Sequence, residues 1–330
     1  MDLTVGSKLP FPHAIIKKTL ILLLPLCLVI TAAGCGTPER KVVLFVASSM
    51  VQPIDEFTRH FEKLHPDIAV IREAGGSQLH CRKISELNKP CDVLIIAEPR
   101  FFGTILGPEY IDWHVDFAEN EMGIIYTDRS RYNGEITSDN WPEILLKPEV
   151  VIGRVDENVG PVGFRTLHTW KLAAGHYGYT DLYERLLEKC PPENTRPDAT
   201  AVLPPLENGT FDYAFDYLSV ARQHRLQYVA LPPEINLGDR SKADIYSQVS
   251  VSIRGNNRKQ LPLKGVPILF GLSIPRDAPN QEEAALYIRE LFSSEGIKIL
   301  EKNYQPTLEL LKVTGSENVP KNIQEILNTQ

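Results

Sequence analysis

The sequence predicts an α/β protein of about two domains. Three observations carry this. The chain has 330 residues of ordinary globular composition, 43% hydrophobic and 23% charged. Short apolar, β-branched runs alternate with segments of helical spacing. Twice near the start, such a run ends in small residues and passes directly into a helix. The 25 prolines suit a chain with many loops and crossovers, not a helical bundle.

Residues 1–34 stand outside that pattern. Lys17-Lys18 precede an apolar run over 19–30, which leads into Thr31-Ala32-Ala33-Gly34-Cys35. A basic start, an apolar stretch and small residues make an export signal. The run is short for a membrane span and contains Pro25. Its end resembles a bacterial lipoprotein signal, with Ala32 where leucine is usual. That resemblance implies that Cys35 becomes a lipidated N-terminus holding the chain at a membrane, with a tether over 35–40. Losing residues 1–34 removes three lysines and one aspartate, so the net charge moves from −7 to −9. No basic block stands out, which argues against a nucleic-acid partner. An anionic chain that binds an anion does so with local dipoles, not bulk attraction. Besides Cys27 and Cys35, three cysteines remain: Cys81, Cys91 and Cys190. Cys81 and Cys91 can pair in an oxidising compartment or stay as buried thiols. No Cys/His cluster has metal-ligand spacing.

Residues 41–46 make a buried-type strand ending at Ala47-Ser48-Ser49-Met50. A helix follows over 51–64, with Pro53 in its first turn and Phe57, Phe61 and Leu64 as its apolar stripe. Residues 68–71 make the second strand. Gly75-Gly76-Ser77 then turns into a helix carrying Leu79, Ile84 and Leu87. Glycine allows a sharp turn there, and Ser77 is placed to cap. The free N–H groups of a helix start make a seat for an oxyanion. The same pattern also suits an ordinary strand–turn–helix. In a parallel sheet the two small-residue strand ends lie side by side, where ligands bind.

A third strand covers 91–97, then helix and loop to 110. A strand over 121–126 crosses into a second lobe. A short helix over 141–145, a strand over 150–155, an exit loop over 156–165 and a helix with Leu167, Trp170 and Leu172 follow. Residues 190–205 are proline-rich and irregular. Strands are expected over 211–217, with acidic residues on one face, and over 226–231. Residues 232–237 return the chain to the first lobe. Strands over 245–253 and 266–274 precede an amphipathic helix over 282–292 carrying Ala285, Ile288 and Leu291. Segments 297–300 and 309–311 close the domain. Arg72 and Glu73 are expected to pair with each other or with neighbours. His80 and His224 are expected at the surface or as caps, and His168 and Trp170 in packing.

Several stretches keep a recognisable order over almost the whole chain after residue 35. They are Arg72-Glu73-Ala74-Gly75-Gly76-Ser77 with Arg82-Lys83-Ile84, Glu119-Asn120-Glu121-Met122, and Asn140-Trp141-Pro142-Glu143-Ile144-Leu145. Pro161-Val162-Gly163-Phe164-Arg165, Asp212-Tyr213-Ala214-Phe215-Asp216-Tyr217, Ser219-Val220-Ala221-Arg222-Gln223-His224 and Leu231-Pro232-Pro233-Glu234-Ile235-Asn236-Leu237 complete them. Together they resemble the substrate-binding proteins of molybdate and tungstate ABC transporters, in the archaeal-type branch. The resemblance implies a periplasmic-binding-protein type II fold: two α/β lobes joined by two crossover strands, with the ligand in the cleft. Lobe 1 would comprise 41–122 and 238–330, and lobe 2 residues 123–237. It implies ligand contacts from Ser49, from the Gly76-Ser77 turn, from the Val162 amide and from Tyr217. The family places an aspartate before the loop proline and an acidic residue near the later tyrosine, and both bond the metal of the oxyanion. Here the first position is Gly160 and the second is Asp216, so at most one such bond is expected from these two positions, with a coordination below six unless Asp156, Glu157 or water completes it. The implied partners are tungstate or molybdate, a membrane permease, and the membrane itself through the lipid on Cys35. A monomer without enzymatic activity, cofactor or nucleic acid is expected.

Other readings are a site for another oxyanion or ferric iron, or a secreted serine hydrolase. The hydrolase lacks a Gly-x-Ser-x-Gly elbow, and no glycine-rich nucleotide loop with lysine is present. Tyr213 and Tyr217 are thin support for iron.

Overall fold

A computed structural model describes residues 40–255 and 259–327. The expected export signal, Cys35 and the expected tether up to residue 39 lie outside the described residues. The folded unit begins at Arg40.

The β-branched run after Arg40 becomes strand β1 (Arg40–Ala47). A 3-10 turn, Ser48–Met50, leads into helix α1 (Val51–Leu64). Strand β2 (Ile68–Gly75) passes through Gly76 into α2 (Ser77–Ser85), and β3 (Val93–Ile96) follows. After α3 (Gly107–Tyr110), β4 (His114–Asn120) completes the first crossing of this sheet. The second sheet is built from β5 (Met122–Tyr126), α4 (Trp141–Leu145), β6 (Ile152–Val155), α5 (Pro161–Tyr177) and α6 (Leu182–Lys189). It continues with β7 (Thr195–Arg196), α7 (Leu203–Glu207), β8 (Tyr213–Tyr217), α8 (Leu218–Gln223) and β9 (Gln227–Ala230). The chain then forms α9 (Ala243–Tyr246), β10 (Ser250–Arg254), β11 (Gln260–Lys264) and β12 (Ile268–Ser273). It ends with α10 (Gln281–Leu291), α11 (Ser294–Lys302), β13 (Thr307–Thr314) and α12 (Lys321–Leu327).

The six-stranded sheet runs β13-β4-β12-β3-β1-β2, and the five-stranded sheet β7-β6-β8-β5-β9. Around β1 the pairing is parallel, with Ala47 opposite Gly75, so both strands end at one level. In the second sheet β6 pairs parallel with β8. Only Glu121 separates β4 in one sheet from β5 in the other. The return passes beside it: Met122 N donates to Asn236 O at 2.7 Å, and Ile268 N to Leu237 O at 2.8 Å. Two α/β lobes are therefore joined by two adjacent crossings. The antiparallel β10–β11 hairpin stands apart from both sheets.

Each lobe buries its own apolar layer. On α1, Ile54, Phe57 and Phe61 are buried, with Phe57 edge-on to Tyr287 of α10 at 5.0 Å. Truncating either phenylalanine to alanine would cost about 3–5 kcal/mol. Leu64 is half exposed, so the stripe ends one turn earlier than its spacing suggested. Residues 245–253 are not one strand. Tyr246 turns inward in α9, its hydroxyl donating to Pro233 O at 2.5 Å, and the alternation takes hold only over Ser250–Arg254. Strand β4 gives no apolar run, because His114 and Asp116 interrupt it, yet it is central to the first sheet.

Candidate functional site

The C-terminal ends of β1, β2 and β3 in lobe 1 face those of β6 and β8 in lobe 2. Between them lies a cavity of about 10 Å³, bounded by Ser48, Ser49, Gly76 and Ser77 from one lobe and Gly160, Val162, Ala199 and Tyr217 from the other. That is about the room of one water molecule. None of the lining residues is charged. Helix α2 begins at Ser77 and α5 at Pro161, so both present unpaired N–H groups and the positive ends of their dipoles here. Six of the expected residues, Ser49, Gly76, Ser77, Gly160, Val162 and Tyr217, meet at this one cavity.

Two expected roles change. Gly76 has φ −70° and ψ 141°, a conformation open to any residue. What needs glycine is distance, since a Cβ on Gly76 would lie 2.2 Å from Val159 O across the cleft. Ser77 does not cap. It is the first residue of α2, and its Oγ accepts from Ala97 N at 3.0 Å. Ser48 Oγ accepts from Ala199 N at 3.2 Å, joining the lobes. Ser49 is buried, and its hydroxyl bonds no other group among the described residues.

Tyr217 stands at the end of β8, buried, with its hydroxyl accepting from Arg165 Nη1. Burial pushes its phenol up to about 12, against the pull of Arg165, so it keeps its proton. Arg165 also reaches Glu98 Oε2 of lobe 1 at 3.3 Å. Glu98 is held in turn by Arg100, at 2.7 and 2.9 Å. Burial acts to raise the Glu98 pKa, but Arg100 and Arg165 bring it below the usual carboxylate value.

Asp216 does not line the cavity. It is fully buried beside it, with Oδ1 accepting from Tyr217 N at 2.7 Å and Oδ2 unpartnered. Burial raises its pKa well above the ordinary carboxylate value, against the bond from Tyr217 N and with help from the charge of Asp198. His80 is not at the surface. It is buried against Phe45 with Nε2 at 3.1 Å from Val46 O, and burial lowers it to about 4. It supports the turn at Gly75. Arg72 pairs with Asp55 and Glu73 with Lys83, not with each other.

The cleft is closed by further bonds between lobes. Gln78 Nε2 donates to Glu157 O at 2.9 Å, Arg82 Nη2 to Asn158 O at 3.1 Å, and Arg254 N to Asn158 Oδ1 at 2.9 Å. Cys81, Cys91 and Cys190 are free buried thiols. Among the described residues no His, Cys, Asp or Glu cluster could hold a metal ion, and no helix is long and apolar enough to cross a membrane. Sequence reasoning missed Ser48, Ala199, Glu98 and Arg165. The Ser48-Ser49 pair gave some signal for the first; nothing local announced the others.

Comparison with known proteins adds the family. Residues 42–304 match the family described as bacterial extracellular solute-binding protein. An uncharacterized solute-binding protein of Petrotoga mobilis is 40% identical over 288 residues, covering 87% of this chain and 90% of that protein. The molybdate/tungstate-binding protein WtpA of Pyrococcus abyssi is 35% identical over 319 residues, covering 88% and 91%. Among solved structures, the sulfate-binding protein SubI of Mycobacterium tuberculosis superposes with a TM-score of 0.57 at 11% identity, covering 88% and 91%. That likeness concerns the fold, a periplasmic-binding-protein architecture of two α/β lobes. By extent and identity of these matches, the chain belongs to the bacterial extracellular solute-binding protein family.

Proposed function

We propose that this protein captures tungstate or molybdate between its two lobes and delivers it to the permease of an ABC transporter. The observation that carries this is the cavity itself: small, uncharged at its walls, and ringed by hydroxyls and two helix N-termini. Such walls stabilise a compact anion by directed N–H and O–H donation, without a fixed cation. Ser49, Ser77, Tyr217 and the amides at Gly76 and Val162 supply the contacts in this reading. The name of the Pyrococcus abyssi relative supports the choice of ion. Asp216 stands behind the cavity wall, and it is proposed to turn its unpartnered Oδ2 onto the metal centre once the ligand is seated, with Gly160 contributing no second carboxylate.

The site is proposed to bind without catalysis. Ser48 and Ser77 accept bonds from backbone N–H groups, and among the described residues no histidine or carboxylate is hydrogen-bonded to either, or to Ser49. We further propose export, lipid attachment at Cys35 and action as a monomer. Calorimetry with tungstate, molybdate, sulfate and phosphate tests the ligand. Tungstate and molybdate should bind far more tightly than the other two; equal or tighter binding of sulfate would remove the assignment.

A further inference from the structure

The β10–β11 hairpin belongs to neither large sheet, yet its apolar side is covered. Val251, Ile253 and Leu263 are buried, and among the described elements α5 of lobe 2 is the one that packs closely on the hairpin. Three bonds tie it to lobe 2. His168 Nε2 on α5 donates to Leu263 O at 2.9 Å, Lys171 Nζ donates to Ser250 O at 2.9 Å, and Arg254 N donates to Asn158 Oδ1 at 2.9 Å. Two bonds tie it to lobe 1, both from arginine side chains. Arg82 Nη2 donates to Arg254 O at 2.7 Å, and Arg100 Nη1 to Lys264 O at 2.9 Å. Arg82 also donates to Asn158 O, so one guanidinium grips a loop of lobe 2 and the hairpin together. By chain order the hairpin follows the return crossing at Asn236-Leu237 and precedes β12 of the first sheet. Its base is narrow, with Gly265 N donating to Val249 O at 3.0 Å.

We propose that the β10–β11 hairpin is a strap carried by lobe 2: it moves with α5 when the lobes part, and Arg82 and Arg100 of lobe 1 are the catches that fasten it across the cleft. The reason is the difference between its two seams. The seam with α5 is apolar and includes the buried His168, so parting it wets Val251, Ile253 and Leu263. The seam with lobe 1 is two exposed bonds from long side chains, which water replaces at small cost. An opening motion draws on the weaker contacts first. The strap lies at the rim of the ligand cavity. Asn158 stands two residues before Gly160, and Arg82 is on the helix that begins at Ser77; both Gly160 and Ser77 line the cavity. No hairpin residue lines it, so fastening acts on the release of the ligand without touching it. The inference deepens the capture reading above and takes its probe, molybdate, from that reading.

Two cross-linked chains test which lobe carries the strap. Lys171→Cys with Ser250→Cys lets a short bismaleimide join the hairpin to α5, and Arg82→Cys with Arg254→Cys lets it join the hairpin to α2. Cys81, Cys91 and Cys190 are buried and do not compete. Each chain is compared with itself before cross-linking, by small-angle scattering without ligand and by the rate of molybdate release. Linking to α5 should leave both unchanged. Linking to α2 should keep the ligand-free protein compact and slow release about tenfold or more. Equal behaviour of the two chains, or the reverse order, overturns the proposal. A further variant replaces residues 250–264 by a short Asn-Gly turn between Val249 and Gly265, which already meet. Release should then quicken about tenfold or more, since both catches are lost, and release within about threefold of the parent overturns the proposal as well. Where that variant does not fold, the cross-linked pair still decides. Failure of the parent chain to bind molybdate removes the ligand reading alone, because the scattering comparison needs no ligand.

Discussion

Placing one methyl group on Gly76 should hold the cleft open. A Cβ there would lie 2.2 Å from Val159 O and 2.7 Å from its carbonyl carbon, where ordinary contact begins at 3.4 Å, a shortfall of about 1.2 Å. The obstacle is backbone, and the loop carrying it is pinned. Val159 N donates to Asp156 O at 3.1 Å, and Asn158 N to Asp156 Oδ1 at 2.8 Å. The cheaper relief is to keep the lobes apart. That lengthens the bonds from Gln78 to Glu157 O and from Arg82 to Asn158 O, and withdraws Tyr217 and the Val162 amide from the ligand. One neutral bond at about 1 kcal/mol, one from the Arg82 guanidinium and two to a charged ligand at about 1.5 kcal/mol or more each give a loss of about 5.5 kcal/mol. Partial closure returns some of this, so Gly76→Ala should weaken tungstate binding by about two to three orders of magnitude. Calorimetry reads the affinity, and small-angle scattering with and without tungstate reads closure. The melting temperature of the ligand-free protein should change little. Gly75→Ala is the control, because its Cβ meets only the His80 ring at 3.2 Å within the same lobe. Binding by Gly76→Ala within about threefold of the parent, with normal closure, would refute the reasoning.

Three other outcomes are expected. Ser49→Ala should weaken tungstate binding about ten- to hundredfold at unchanged melting temperature, whereas Ser77→Ala should also destabilise the fold by about 1–3 kcal/mol, because Ala97 N–H loses its buried acceptor; equal melting temperatures for the two variants would contradict this. Asp216→Asn should stabilise the ligand-free protein. A folded pKa raised above 3.8 means that the native state favours the protonated acid, so the contribution of Asp216 is fully present below about pH 3.8 and is lost as pH rises through the folded value. The advantage of the variant in thermal melts should therefore be smallest near pH 4 and grow toward neutrality, and a pH-independent difference would sink the idea; tungstate binding should weaken in the same variant if Asp216 bonds the metal. Gly160→Asp should fold, since Gly160 has φ −133° and ψ 146° and its Cβ would meet Val155 Cγ1 at 3.3 Å. X-ray absorption on its tungstate complex should report one more oxygen neighbour than the parent, and an unchanged shell would show that the new carboxylate does not reach.

The fold was legible wherever one residue pattern answers to one environment. The runs that became β1, β2 and β3 are apolar and β-branched because both faces of a parallel centre are covered. Strand β4 escaped that test: His114 and Asp116 sit within a sheet, and only tertiary context accommodates them. The site was legible at strand ends for a related reason. Parallel strands bring their C-terminal ends to one level, as Ala47 opposite Gly75 demonstrates, so small hydroxyl residues there are close in space without being close in sequence. Gly76 was singled out for a sharp turn. Its own backbone angles need no glycine; the neighbour across the cleft does, and local sequence carries no word of that neighbour.

The groups behind the cavity follow a logic that sequence reading could not reach. The cavity wall carries no arginine or lysine. The cations are set one layer back, where Arg165 and Arg100 share Glu98. A cation at the wall would attract any anion and would need its own partner whenever the site is empty, since a lone buried charge is costly. Set back and already paired, the charge is satisfied with or without ligand, and what reaches the cavity is only the orientation of a neutral hydroxyl. Residues 98 and 165 are 67 positions apart and on different lobes, so their pairing spans the cleft.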